Sequence, residues 1–376
     1  GEDGDADYND ATKELLLKGY TGALSAKEAR KLISQGADVN GVIEGTPFPG
    51  MLDSMGDELL KLIPELIDKG MKLDSLTTIN ERAAKKIAAI EGWHIDLSSL
   101  LNLDVKTAKV LISELNAREK PPHLTLGLYQ LEPGIMEIIS GYAGGMTLNH
   151  LASLSAAEAK ALANKYGDML RLDGLTELSS EVARALAKHK GNLCFDSLAE
   201  LENHSAIWLA KHEGALFLDG LSELGVETAI ALAKHKYPLF LRGLTELSDE
   251  IAESLAGHKD SLRLDGLSEL PLKVAEMLAK SEGELSLNGI TELSDEVAQA
   301  LGNHKGGFCL DGLGALQDEA AAALAKNFGD ELCLNGLTKL SENAAKALAK
   351  FQGEDLSLGG VTKLSDRAID ALADYK

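Results

Sequence analysis

Residues 239–261 read LFLRGLTELSDEIAESLAGHKDS, and this stretch decides the fold. Leu239, Phe240 and Leu241 set up the period-two alternation of a short strand. Gly243 permits a turn, after which Leu244 and Leu247 bring the chain back over a core. Ser248 is placed to cap a helix, and Asp249 and Glu250 follow where negative charge suits the helix N-terminus. Ile251, Ala252, Leu255 and Ala256 then form one apolar stripe at helical spacing. His258 and Lys259 close the helix with donors and positive charge beside its unpaired carbonyls. The stretch predicts strand, turn, helix.

The same sentence opens at Leu170, Leu193, Leu216, Leu239, Leu262, Leu285, Phe308, Leu332 and Leu356, in steps of 23 residues that lengthen to 24 for the last two. Counting from each opening residue as zero, apolar side chains return at offsets 2, 5 and 8, Leu at 16, and Ala dominates 13 and 17. A unit this short cannot bury its own apolar face, so a fixed period predicts a solenoid of stacked units with parallel strands. Strands stack about 4.8 Å apart, closer than helices do, so the strands belong on a concave side.

The pattern LxLxGLxxLSxxxAxxLA resembles the leucine-rich repeat, closest to its cysteine-containing type with a shortened 23-residue unit. Leu175, Leu221, Leu244, Leu267, Ile290 and Leu337 occupy the position where that type carries Cys. Leu-Ser-Asp at 247–249 and 293–295 stands for its Ile-Thr-Asp. The resemblance implies an α/β solenoid, a horseshoe with a parallel sheet on the concave face and helices on the convex face. It also implies binding through the concave strand positions.

Weaker units open at Met71, Ile95, Leu124 and Met146, so 71–169 is expected to hold irregular repeats, 170–376 regular ones, and the whole about thirteen strands. Before them, AKEARKLISQGADVNG and GTPFPGMLDSMGDELLKLIPELIDKGMKLD resemble ankyrin repeats, with Gly36 to Asn40 as the loop and Thr46-Pro47 as the helix start. Only about one and a half such units are present, so 21–70 is expected to be a helical cap. Residues 1–20 are expected to be an acidic, flexible tail. Asp3, Asp5, Asp7 and Glu14 have the spacing of a calcium loop, but Tyr8 stands where that loop needs Gly.

A net charge of −22 over 376 residues argues against nucleic acid as a partner. No apolar run is long enough to span a membrane. The three cysteines, Cys194, Cys309 and Cys333, exclude a disulfide framework and are expected to be free thiols. No Walker loop, HExxH, GxSxG or zinc-spaced cluster occurs, so no catalytic site, cofactor or metal is expected. Compartment stays open.

Two strand rows carry the remaining candidates. At offset 1 stand Arg171, Cys194, Phe217, Phe240, Arg263, Ser286, Cys309, Cys333 and Ser357; at offset 3, mostly Asp and Asn, with Arg242 interrupting. Arg171, Phe217, Phe240, Arg242 and Arg263 are the candidate partner-binding residues, since aromatic and Arg side chains anchor interfaces. Cross-strand packing is the plainer reading of the two Phe. The Asp row is read as turn chemistry before Gly, with calcium as the rival. His189, His212, His235, His258 and His304 are read as helix caps that, with neighbouring Lys, make one edge positive and leave the helix starts as a negative edge. Trp208 is read as either a convex-face contact or packing. The expected function is a non-enzymatic scaffold, a monomer, binding a protein or peptide. The alternatives are a calcium- or ligand-binding surface, or a regulatory fragment of a larger protein.

Overall fold

The computed structural model describes residues 8–21, 23–40, 42–43, 46–47, 62–68, 72–74, 76–164, 167–373 and 375. It divides into two units, residues 1–152 with 164–174, and residues 153–163 with 175–376.

In the second unit the sequence repeat and the strand register are the same thing. Leu216 pairs with Leu239, Leu239 with Leu262, Leu262 with Leu285, Leu285 with Phe308, and Phe308 with Leu332, always in parallel. Each opening residue therefore lies beside the next unit's opening residue. Strands are short, as at Leu239–Phe240, and a helix follows each, as at Asp249–Leu255. Ser248 caps that helix as the sequence predicts, its hydroxyl accepting from Ile251 N. This repeating strand–turn–helix order is an α/β solenoid of the leucine-rich-repeat kind.

Burial explains the template. Leu239, Leu241, Leu244 and Leu255 are each 1% exposed or less, and a fully buried Leu contributes about 1.5–3 kcal/mol. The offset-13 alanines, among them Ala229, Ala252 and Ala275, are wholly buried where helix meets sheet, and a larger side chain would force the layers apart. Gly243 is glycine for a different reason from the one expected. Its φ is ordinary, but a Cβ would lie 2.3 Å from Asp219 O and 2.5 Å from Leu221 O, because successive turns stack in backbone contact.

The first unit holds four parallel strands, His94–Leu97, His123–Leu126, Met146–Leu148 and Met169–Arg171, paired in sequence order. With eight in the second unit, the described residues contain twelve parallel strands instead of about thirteen. The opening residue of the unit expected at Met71 lies outside the described residues, while Leu73 and Asp74 form a bend and a turn.

The N-terminal expectation also changes. Asp10–Tyr20 is a helix, capped by the Asn9 side chain, with Leu15 and Leu16 at 0% and 2% exposure. That apolar pair and its cap outweigh the acidic composition. A second helix, Ala26–Ser34, packs against it and starts with a capping box of Ser25 and Glu28. Residues 1–7, and with them Asp3, Asp5 and Asp7, lie outside the described residues, while Glu14 pairs with Lys18 at 2.7 Å on the first helix. Thr46-Pro47 does not start a helix. It forms a two-residue strand against Val42–Ile43, where proline's missing N–H is tolerated.

Candidate functional site

Four of the five candidate residues lie on the face of the sheet in the second unit. Phe217 and Phe240 are register partners, and their rings stack at 4.0 Å between centroids with 16° between planes. Each covers part of the other, as cross-strand packing requires, and both remain half-buried. Arg242 lies at the next outward position of the Phe240 strand, its guanidinium carbon 5.7 Å from the Phe240 ring centre. Arg263 is the register neighbour of Phe240 on the other side and pairs with Glu284 at 2.7 Å. Arg171 belongs to the first unit, where its Nε meets Asp173 at 3.0 Å. The cluster of the second unit is thus Phe217, Phe240, Arg242 and Arg263.

The Asp and Asn row proves to be a ladder between units. Asp219 Oδ1 accepts from Arg242 N at 2.9 Å, and Asp265 Oδ1 from Asn288 N at 3.0 Å. Asn288 Oδ1 accepts from Asp311 N, Asp311 Oδ1 from Asn335 N, and Asn335 Oδ1 from Gly359 N, all at 2.7–2.8 Å. Each side chain satisfies the backbone of the following unit, which is why Asp and Asn interchange: only the carbonyl-type oxygen matters. Arg242 breaks the ladder. It takes the rung from Asp219 but has no acceptor to offer the N–H of Asp265. Its own side chain turns back instead, Nε and Nη2 reaching Asp219 Oδ2 at 2.9 and 2.5 Å. Asp219 keeps only 13% of its side chain exposed, while Arg242 keeps 49%.

The histidine column differs from the expected exposed cap. His189, His212, His235, His258 and His304 are at most 2% exposed. The first four rings stack at 6.3–6.4 Å with 4–10° between planes. Their backbone N–H groups do close the helices, as from His235 N to Leu232 O at 2.9 Å, but the rings point inward. With its Nε2 protonated, His235 donates to Gly214 O of the preceding loop at 3.0 Å. The His212 ring lies near the carbonyls of Ala187 and Gly191 without closing a bond of good geometry. Burial pushes His212, His258 and His304 below the ordinary imidazole range, and His235 down to about 4. His212, His235, His258 and His304 are therefore neutral at pH 7.

The expected charge polarity of the two edges fails with it. Glu213 pairs with Lys190 at 2.9 Å, and Glu282 with Lys259 at 3.9 Å, on the edge expected to be positive. Lys273 pairs with Asp249 at the helix starts, the edge expected to be negative. Both edges carry mixed charge.

Trp208 is a half-buried surface residue on the helix side. Lys211 Nζ sits 4.0 Å and Arg184 Cζ 4.9 Å from its ring centre. Beside it, Ile207, Lys211, Lys234, Lys236 and Tyr237 help to line a cleft of about 580 Å³. Cys194, Cys309 and Cys333 are buried thiols.

In the first unit, sequence reading missed a row on the strand face. Trp93 is 81% exposed, with its ring centre 5.3 Å from that of His94. His94 Nε2 meets Thr125 Oγ1 at 2.9 Å, and His123 Nε2 meets Thr147 Oγ1 at 2.7 Å. The signal was present: His94 and His123 each stand one residue before a strand-opening apolar residue, Ile95 and Leu124, which are register partners.

No family model matches the chain. No curated protein matches it either. Among solved structures it is similar to an internalin from Listeria monocytogenes, over 99% of this chain and 98% of that one, at 12% identity and a TM-score of 0.39. The fold rests on the register, burial and repeat described above. Among the described residues no helix is long and apolar enough to cross a membrane.

Proposed function

We propose that the protein is a non-enzymatic interaction scaffold that binds a protein or peptide on the strand face of its second unit, at Phe217, Phe240, Arg242 and Arg263. The observation that carries this reading is the broken ladder at Arg242. An inter-unit hydrogen bond of this type contributes about 0.5–1.5 kcal/mol, and Arg242 forgoes one. What it provides in exchange is a guanidinium held in place by Asp219 and half exposed beside two stacked aromatic rings. Pre-oriented Arg next to aromatic surface is the composition of an interface anchor. A suitable partner offers an apolar side chain to the outer Phe faces and a carboxylate to Arg242.

The Asp and Asn row favours this reading over calcium binding, because one oxygen of each rung is committed to a backbone N–H. The net charge of −22 disfavours nucleic acid, and a monomer suffices for the site. The N-terminal helices serve as a cap on the first strand units, in the manner the ankyrin-like stretch suggests. A second reading rests on Trp208, whose cation-flanked ring adjoins the cleft at Tyr237 and would take a partner on the helix side.

Selection of a displayed random-peptide library against the immobilised protein tests the proposal. Peptides carrying an apolar and an acidic residue are expected to enrich, and to lose binding to Phe217→Ala/Phe240→Ala but not to Trp208→Ala. Peptides lost only with Trp208→Ala would transfer the site to the helix side. Peptides retained by all variants would overturn both readings.

A further inference from the structure

We propose that Cys309, Cys333 and Glu331 form a binding site for a soft divalent cation of the zinc class. Cys309 and Cys333 are register partners on adjacent parallel strands, and Glu331 opens the strand that ends at Cys333. The two sulfurs and one Glu331 oxygen lie within 4.8 Å of one another. Ligands on a tetrahedral zinc with bonds of about 2.0–2.3 Å stand roughly 3.5 Å apart, so small side-chain rotations close the site. Cys333 Sγ already donates to Glu331 Oε1 at 3.1 Å, which aims the carboxylate at the thiols.

The surroundings favour a cation. Glu331, Glu284 and Asp311 gather negative charge around Cys309. Arg263 pairs with Glu284, but among the described residues no ion pair reaches Glu331. A divalent ion would offset that negative charge. On binding, each S–H bond breaks, two metal–sulfur bonds form, and two protons pass to solvent, so affinity rises with pH. Thiolate ligation selects zinc-like ions over calcium or magnesium. A disulfide would use the two sulfurs but leave Glu331 without a role, and in-register parallel neighbours rarely have the geometry for one. Cys309 and Cys333 are 5% and 7% exposed, and three protein ligands would leave a fourth position for a water.

The test is titration of the full chain, reduced with a phosphine, with cobalt(II) followed by zinc. One equivalent of cobalt is expected to produce a thiolate-to-metal charge-transfer band that zinc then abolishes. Cys309→Ser and Cys333→Ser should each remove the band. Serine already stands at that strand position as Ser286 and Ser357, so these variants are expected to fold. Glu331→Gln should weaken binding tenfold or more, and Cys194→Ser should leave it unchanged. Absence of the band in the reduced wild type, or its survival in Cys309→Ser, would overturn the proposal.

Discussion

Arg242 and Asp219 meet twice across adjacent turns: the Arg242 backbone N–H bonds Oδ1, and its guanidinium bonds Oδ2. One carboxylate thus serves as both a rung of the inter-unit ladder and the rest for a surface cation. Replacing Arg242 by Asn keeps the first contact, loses a surface ion pair worth about 0–1 kcal/mol, and supplies the absent acceptor for Asp265 N–H. Arg242→Asn is therefore expected to be as stable as the wild type or more so, by up to about 1 kcal/mol, while binding the peptide partner more weakly. Urea denaturation and a binding titration check the two halves, and a variant that loses stability and keeps affinity contradicts both.

Gly243→Ala probes the turn stack. The new Cβ would fall against two backbone carbonyls, Asp219 O and Leu221 O, and neither is a flexible side-chain end. Separating the turns should cost more than about 2 kcal/mol, as for other backbone collisions in packed cores. A shift in the urea midpoint at unchanged slope measures it.

The histidine column sets an acid limit. Well above pH 6.5 the imidazoles of His212, His235, His258 and His304 are neutral in both folded and unfolded chains and contribute almost nothing to the pH dependence. Below it the unfolded chain takes up protons that the buried rings refuse, so stability falls as pH drops towards the folded value, about 4 for His235. At pH 5 that one residue accounts for a loss of about 2 kcal/mol. His235→Asn borrows the residue that Asn327 supplies at the same repeat position, where it donates to His304 O and Gly306 O. Denaturation of both proteins at pH 7 and pH 5 should show a smaller acid loss in the variant. Equal losses would mean that His235 is not buried and neutral.

Calcium at millimolar concentration is expected to leave the melting temperature of the Cys309→Ser protein unchanged. The oxygens of Asp265 and Asp311 that face the following unit are already hydrogen-bonded to Asn288 N and Asn335 N. A rise of several degrees would restore the Asp row as a cation site.

Much of this architecture was legible in the repeat because a solenoid turns sequence period into spatial register: Leu239 repeats Leu216 and lies beside it. The core leucines and the Ser248 cap follow from local chemistry. What one unit cannot reveal is what its side chains meet in the next. Asp265 looked like a turn residue because its partner is 23 positions away. His235 looked like an exposed cap because its sequence neighbours are lysines, while the preceding loop that buries it is distant in the chain. At the N-terminus composition misled, since Asn9, Leu15 and Leu16 order a stretch whose charge suggests a tail. The candidate site was legible as an anomaly, in Phe217, Phe240 and Arg242, but the contact between Arg242 and Asp219 was not.

Whether the Phe217–Phe240 face holds a partner is decided by the Kd of the best library-selected peptide for the wild type and for Phe217→Ala/Phe240→Ala, with circular dichroism confirming that both are folded. Loss of two anchors at about 1.4 kcal/mol or more each predicts weakening by roughly a hundredfold or more. Equal affinity for the two folded proteins would contradict it.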